Sequence, residues 1–308
     1  MNITVMGAGA VGGYFGAVLA RAGHDVTFIA RGENLEAIQQ NGYSVKSDAI
    51  GEFAALAKAV EKPTEVADLI LFCVKGYDND IAVDIVAPAV GEETSILTLQ
   101  NGIGSSDLLS TAFGHHKVLL GLTYIDSTKT GPGIVHEFGL KPPDIVFGEQ
   151  NKGKTDRARV IGDALDVEGV ELTLADNIQR ELWSKLIYIC GLSGSTCITR
   201  SKFEQVVTTP ATLEFTRRIM REAFEVAQSQ GAELNADYVD KTVEYFIEIK
   251  GANTSSMYTD LMRGNPIEID VLNGAVARIG RQQGIDVTTN EFIATCLSLY
   301  HETAMESR

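Results

Sequence analysis

Met1-Asn2-Ile3-Thr4-Val5-Met6-Gly7-Ala8-Gly9-Ala10-Val11-Gly12 decides the fold: a short apolar strand runs straight into Gly-x-Gly-x-x-Gly, and a helical pattern follows. In that order Gly7 permits a tight turn out of the strand and Gly9 lets the backbone approach a pyrophosphate. Gly12 lets a helix over residues 10–22 pack closely on the sheet, its amino terminus toward the phosphates. A second apolar strand over residues 25–30 completes a βαβ unit of the right length, so residues Gly7, Ala8, Gly9, Ala10, Val11 and Gly12 are expected to cradle a dinucleotide. The other reading of the same glycines is a Gly-rich turn in a different α/β fold.

The end of the second strand separates the two nicotinamide cofactors. An NAD site places Asp or Glu there for the ribose hydroxyls, whereas an NADP site needs a cation for the 2′-phosphate. This chain has Ala30-Arg31-Gly32, and Arg31 can grip a phosphate bidentately, which favours NADPH. Glu33 keeps the alternative open, since a small shift of the loop presents its carboxylate to a ribose.

With 308 residues the chain is long enough for two separately cored domains. Its formal charge of −15, from 41 acidic and 26 basic residues, argues against a nucleic-acid or anionic-membrane surface, so an anionic ligand must be held by local groups. The cysteines at 73, 190, 197 and 296 sit in apolar contexts without a Cys-x-x-Cys pair and read as reduced residues of a cytoplasmic protein. The histidines are scattered, the adjacent pair His115-His116 points to different faces of any element, and no metal is expected. No run of 18 apolar residues exists to span a membrane, and the apolar stretch 7–20 lacks the basic flank of a signal peptide.

Residues 69–74 and 95–99 read as buried parallel strands, and both end in polar tips, Val74-Lys75-Gly76-Tyr77 and Gln100-Asn101-Gly102. A doubly wound sheet binds its ligand beyond the carboxyl ends of its strands, which gives Lys75 and Asn101 a place at the site; turn chemistry alone explains the same residues. Runs 118–124, 133–138 and 144–147 look like an antiparallel extension, 154–165 is helical, and 167–174 is a last strand. A boundary near Ala175 then divides the chain into a dinucleotide-binding domain, 1–175, and a helical domain, 176–308. The helices of the latter are expected at 178–191, 209–230, 236–249, 268–283 and 289–306, with a loop or interrupted helix at 251–266.

Arg180-Glu181-Leu182-Trp183-Ser184-Lys185-Leu186-Ile187-Tyr188 lies on the first long helix of the second half and holds the only tryptophan. Apolar neighbours on either side of Lys185 would desolvate its ammonium, lower its pKa and suit it to proton donation. An amphipathic helix whose lysine snorkels to solvent is the alternative.

In these residues the whole chain resembles the ketopantoate (2-dehydropantoate) 2-reductases. Gly7-x-Gly9-x-x-Gly12, Arg31, Val74-Lys75, Gln100-Asn101-Gly102, Trp183-x-Lys185, Asn253-x-x-Ser256-Met257 and Pro266-Ile267-Glu268-Ile269-Asp270-x-x-Asn273-Gly274 stand in that family's order and spacing. The resemblance implies an α/β chain: an N-terminal Rossmann dinucleotide-binding domain followed by an all-α domain like that of 6-phosphogluconate dehydrogenase. It implies NADPH in the first domain, a 2-oxo acid in the cleft, and reduction of ketopantoate to pantoate in pantothenate (coenzyme A precursor) biosynthesis. Lys185 then looks like the general acid and Glu268 like the acidic partner that also reaches the cofactor ribose or substrate hydroxyl. Lys75 and Asn101 would line the nicotinamide and substrate mouth, and Asn253 and Ser256 would donate to the substrate.

The chain departs from that pattern at the pocket. Where the family carries asparagine four and eight residues after the lysine, this chain has Ile189 and Ser193, and a third expected asparagine is absent around Phe203. Ile189 lies one helical turn from Lys185 on the same face, so a different branched or aromatic 2-oxo acid, or an imine, stands as the alternative substrate. A non-catalytic NADP-binding regulator is the alternative from another class. The expected partner is a small 2-oxo acid, without nucleic acid or membrane, and a monomer or homodimer fits equally.

Overall fold

The computed structural model describes residues 1–151, 153–251 and 254–308. Apolar runs punctuated by glycine build its first half. In chain order these are β1 (Asn2–Met6), α1 (Ala10–Arg21), β2 (Asp25–Ile29), α2 (Gly32–Asn41), β3 (Tyr43–Ser47), β4 (Gly51–Ala55), β5 (Lys58–Val60), β6 (Leu69–Phe72), α3 (Asn79–Val86), β7 (Ser95–Thr98) and α4 (Ser105–Phe113). There follow β8 (Val118–Tyr124), β9 (Ser127–Gly131), β10 (Ile134–Glu137), β11 (Asp144–Glu149), α5 (Asp156–Leu165) and β12 (Glu171–Leu174).

Eight of these strands form one sheet in the order β12-β11-β8-β7-β6-β1-β2-β5. β1 lies between β2 and β6 and pairs parallel with both, Met6 opposite Ile29 on one side and Phe72 on the other. Leu69-Ile-Leu-Phe72 is buried at every position, as a parallel strand covered on both faces must be. The order brings the carboxyl ends of β1, β2, β6 and β7 to one edge of the sheet, where the glycine turn 7–12 and the two polar tips follow.

The expected antiparallel extension is corrected in two respects. β8 remains parallel to β7, and only β11 runs antiparallel to it. β9 and β10 leave the main sheet and join β3 and β4 in a second sheet of order β4-β3-β10-β9, in which β10 is parallel to β3 although about 90 residues separate them in sequence. The last strand is shorter than expected because residues 167–170 close a turn, Val170 N–H donating to Val167 O.

The second half is helical: α6 (Ile178–Thr199), α7 (Phe203–Thr208), α8 (Pro210–Ser229), α9 (Tyr238–Glu248), α10 (Ser256–Met262), α11 (Asn273–Gln283) and α12 (Thr288–Glu306). α6 does not stop at Gly191. A Cβ there would lie 2.7 Å from Met220 Cγ, so this glycine serves close packing against α8 rather than helix termination. The helix expected from 268 starts only at Asn273. Residues 269–271 form a 3₁₀ turn, and Leu272, with φ −105° and ψ −109°, breaks the path between them. α10 occupies part of the expected loop 251–266.

Contacts divide the chain into two units. One comprises Met1–Gln100 with Ser105–Ile178, the other Asn101–Gly104 with Gln179–Arg308. Each has its own core, built in the first around Phe15, Phe28, Leu71 and Phe147, and in the second around Trp183, Ile219, Phe246 and Ile293. Among the described residues no helix is long and apolar enough to cross a membrane, and no group of three His, Cys, Asp or Glu side chains could hold a metal ion.

Candidate active site

In the first unit the strand-to-helix turn follows from its glycines. Gly7 adopts φ +106°, and a Cβ there would lie 2.8 Å from Val74 N, so the backbone beyond β6 packs directly on it. A Cβ on Gly12 would lie 2.2 Å from Gly7 O, which is how tightly the turn folds back on α1. Gly9, the N-cap of α1, behaves differently: no atom lies within 4 Å of the position its Cβ would take. α1 has no side-chain cap and no acidic residue in its first turn, so no residue of its own first turn offsets its amino-terminal dipole. An open Gly9, an uncapped helix and the carboxyl edge of a parallel sheet fit a dinucleotide pyrophosphate.

Arg31 caps α2 with extended backbone and is exposed; Glu33, in the first turn of α2, is exposed as well. Lys75 is half-buried ahead of the 3₁₀ turn Gly76–Asp78. Gln100 is directed to the neighbouring tip: its Nε2 donates to Val74 O at 2.7 Å and to Asn79 Oδ1 at 2.6 Å, which ties the ends of β6 and β7 together.

The second unit gathers Asn101, Lys185 and Glu268. Lys185 on α6 is 8% exposed, and its Nζ donates to Asn101 Oδ1 at 2.8 Å. Burial pulls the lysine down to about 8, while the Glu268 carboxylate acts in the opposite sense. Glu268 is 7% exposed and precedes the 3₁₀ turn 269–271. That segment is fixed at both ends: Ile267 N–H donates to His301 Nδ1 at 3.2 Å, and Val271 O accepts from Ile103 N–H at 3.1 Å. The second bond seats the Asn101 loop, helped by Gly102, whose φ of +86° and missing side chain let it lie against Val271 O. Trp183 is a core residue, 2% exposed, and the adjacent Ser184 Oγ is bonded to Tyr238 at 2.7 Å. A buried lysine lowered in this way, with an amide oxygen and a carboxylate acting on it, has the chemistry to give up a proton near neutrality.

The remaining candidates are distributed unevenly. Ile189 is half-buried on α6. Ser193 is 2% exposed and shares a 2.7 Å hydrogen bond with Ser255, the residue whose Oγ caps α10 by accepting from Tyr258 N–H. Ser256 is exposed at the start of α10. Asn253 lies outside the described residues. Sequence reasoning missed Ser255 and His301, for neither carries a spacing signal; only their tertiary partners reveal them.

The ketopantoate reductase PanE/ApbA family matches residues 3–152, and its C-terminal counterpart matches residues 177–301. A 2-dehydropantoate 2-reductase of Mesorhizobium japonicum is 29% identical over 304 residues, which cover 91% of this chain and 92% of that one. A PanE/ApbA family ketopantoate reductase of Ralstonia eutropha has a TM-score of 0.89 at 31% identity, over 99% of this chain and all of the other. A D-mandelate dehydrogenase solved with NADH and anilino(oxo)acetate has a TM-score of 0.88 at 25% identity, over 99% of each chain. With both of its halves matched, the chain belongs to the ketopantoate reductase PanE/ApbA family of oxidoreductases.

Proposed function

We propose that the protein reduces a small 2-oxo acid with NADPH, with ketopantoate as first substrate and pantoate, the pantothenate precursor, as product. The observation that carries this reading is Lys185, buried, bonded to Asn101 and opposed by the charge of Glu268. Residues Gly7–Gly12, Arg31 and Lys75 of the first unit would hold the dinucleotide, and Lys185 of the second would supply the acid. Bound there, the cofactor would supply a hydride to the 2-oxo carbon. Hydride arrival builds negative charge on the carbonyl oxygen, and the Lys185 ammonium, fixed by Asn101, stabilises that charge more than it does the neutral ketone. The proton passes from Nζ to the oxygen, and the neutral amine regains one from solvent. Glu268 favours the recharged form.

A lysine at about 8 is mostly protonated at neutral pH and gives its proton up readily. Only the protonated form serves reduction, so kcat/KM is expected to be flat below about pH 8 and to fall about tenfold per pH unit above it. Oxidation of the 2-hydroxy acid needs the neutral amine and rises through the same region. A pH profile in both directions checks the pair of signs; a reduction rate level to pH 10 contradicts the assignment. Steady-state NADPH oxidation against ketopantoate and a panel of 2-oxo acids tests the reading as a whole.

A second reading, a bulkier branched or aromatic 2-oxo acid, is favoured by Ile189 and by Ser193, whose hydroxyl is engaged by Ser255. Neither position offers an amide to a hydroxylated substrate, and a D-mandelate dehydrogenase stands among the structural relatives. Ile189→Asn is expected to move the ratio of kcat/KM values toward ketopantoate by about 10-fold or more, since a polar group in such a pocket discriminates strongly. Competition assays with ketopantoate and an aromatic 2-oxo acid measure it.

A further inference from the structure

Two side chains hold the phosphate turn from behind, and both are supplied or oriented by the second sheet. Tyr43, the first residue of β3, is fully buried, and its single hydroxyl proton is shared between Ala8 O at 3.2 Å and Gly9 O at 3.0 Å. Asn34, on α2, donates from Nδ2 to Ala8 O at 3.0 Å. Its Oδ1 accepts from Gly133 N–H at 2.8 Å, in the turn between β9 and β10, so both ends of the amide are engaged.

We propose that Asn34 and Tyr43 are positioning residues that preform the dinucleotide turn, a role resting on the NADPH reading above. A peptide unit is planar, so fixing a carbonyl fixes the following N–H in the opposite direction. Holding Ala8 O aims the N–H of Gly9, and holding Gly9 O aims that of Ala10, the groups a pyrophosphate approaches at the start of α1. Gly9 O also accepts from Gly13 N–H at 2.9 Å, the first bond of α1, but Gly9 has no side chain of its own to fix the turn, and Ala8 O is held by Asn34 and Tyr43. The ring of Tyr43 is also built into the turn, because a Cβ on Gly13 would lie 2.1 Å from its hydroxyl. Burial pushes the phenol up, so it remains a donor at any working pH. Asn34 stands one helical turn after Arg31, and therefore couples the candidate 2′-phosphate reader to the same turn. The second sheet thus acts as a brace for the cofactor turn.

Tyr43→Phe keeps the ring and removes only the hydroxyl; Asn34→Ala removes the amide. NADPH affinity measured by fluorescence titration is expected to fall about 3–10-fold in each single variant and further in the double variant. The kinetic loss is expected in KM for NADPH rather than in kcat. Melting temperatures measured alongside separate a merely structural role: lower melting with unchanged NADPH affinity overturns the proposal. Failure of the unmodified protein to bind NADPH overturns both this proposal and the functional reading beneath it.

Discussion

Lys185→Met is expected to lower kcat for 2-oxo acid reduction by about 10²–10⁴-fold, the usual contribution of a positioned general acid, with NADPH affinity unchanged. Methionine fills a similar volume in apolar surroundings, so the packing of α6 is retained while the transferable proton is lost. The effect belongs in kcat because the cation acts on charge that develops with hydride arrival and is absent in the bound ketone. The alkaline limb near pH 8 should vanish in the variant, since the group that titrates there is gone. Glu268, 7% exposed, then has no buried ammonium beside it, and some loss of thermal stability should accompany the substitution. NADPH oxidation assays paired with NADPH titration read both halves. Retained turnover at wild-type rates would remove Lys185 from the mechanism.

The second large effect is a contrast between two glycines of one turn. Gly12→Ala places a methyl 2.2 Å from Gly7 O, a backbone atom that cannot move without opening the turn. A drop in stability of about 1–3 kcal/mol is expected from such overpacking, together with loss of NADPH binding by about 100-fold or more. Gly9→Ala meets nothing within 4 Å and keeps an ordinary backbone conformation, φ −89° and ψ −153°. It should melt at the wild-type temperature yet bind NADPH much more weakly, because the methyl occupies the space a pyrophosphate needs. Calorimetric melting and cofactor titration of both variants test the pairing. Equal stability losses in the two, or intact cofactor binding in Gly9→Ala, would contradict the assigned use of the turn.

The main sheet was legible because its signals are local: glycine spacing after β1, the fully apolar β6, the apolar centre of β7, and polar residues at their tips. The second sheet was not, since β4 is mostly exposed and carries no apolar alternation, and β10 finds its parallel partner far back in the sequence. Apolar residues at 269, 272, 276 and 279 stand at helical spacing, which is why Glu268 read as the first residue of a helix when the chain makes a 3₁₀ turn there. Gly191 carried a stop signal that packing overrode. Lys185 stood out by its apolar neighbours, but its bond to Asn101, 84 residues away, has no counterpart in any spacing rule. Resemblance to a family placed those residues together; pattern alone did not. Ser193 shows the opposite limit, for its position one face-turn beyond Ile189 gave no hint that Ser255 engages it.

The four residues Asn101–Gly104 have a bearing on how such enzymes can be recombined. They fall in the middle of the first unit's sequence yet pack with the second, through Ile103 on Val271 and Asn101 on Lys185. A chimera spliced once near residue 178 would therefore hand the helical unit a foreign island along with the foreign sheet. Grafting a relative's nucleotide preference onto this scaffold calls for three crossovers, one on each side of the island and one at the main junction, so that the resident loop stays with its resident lysine.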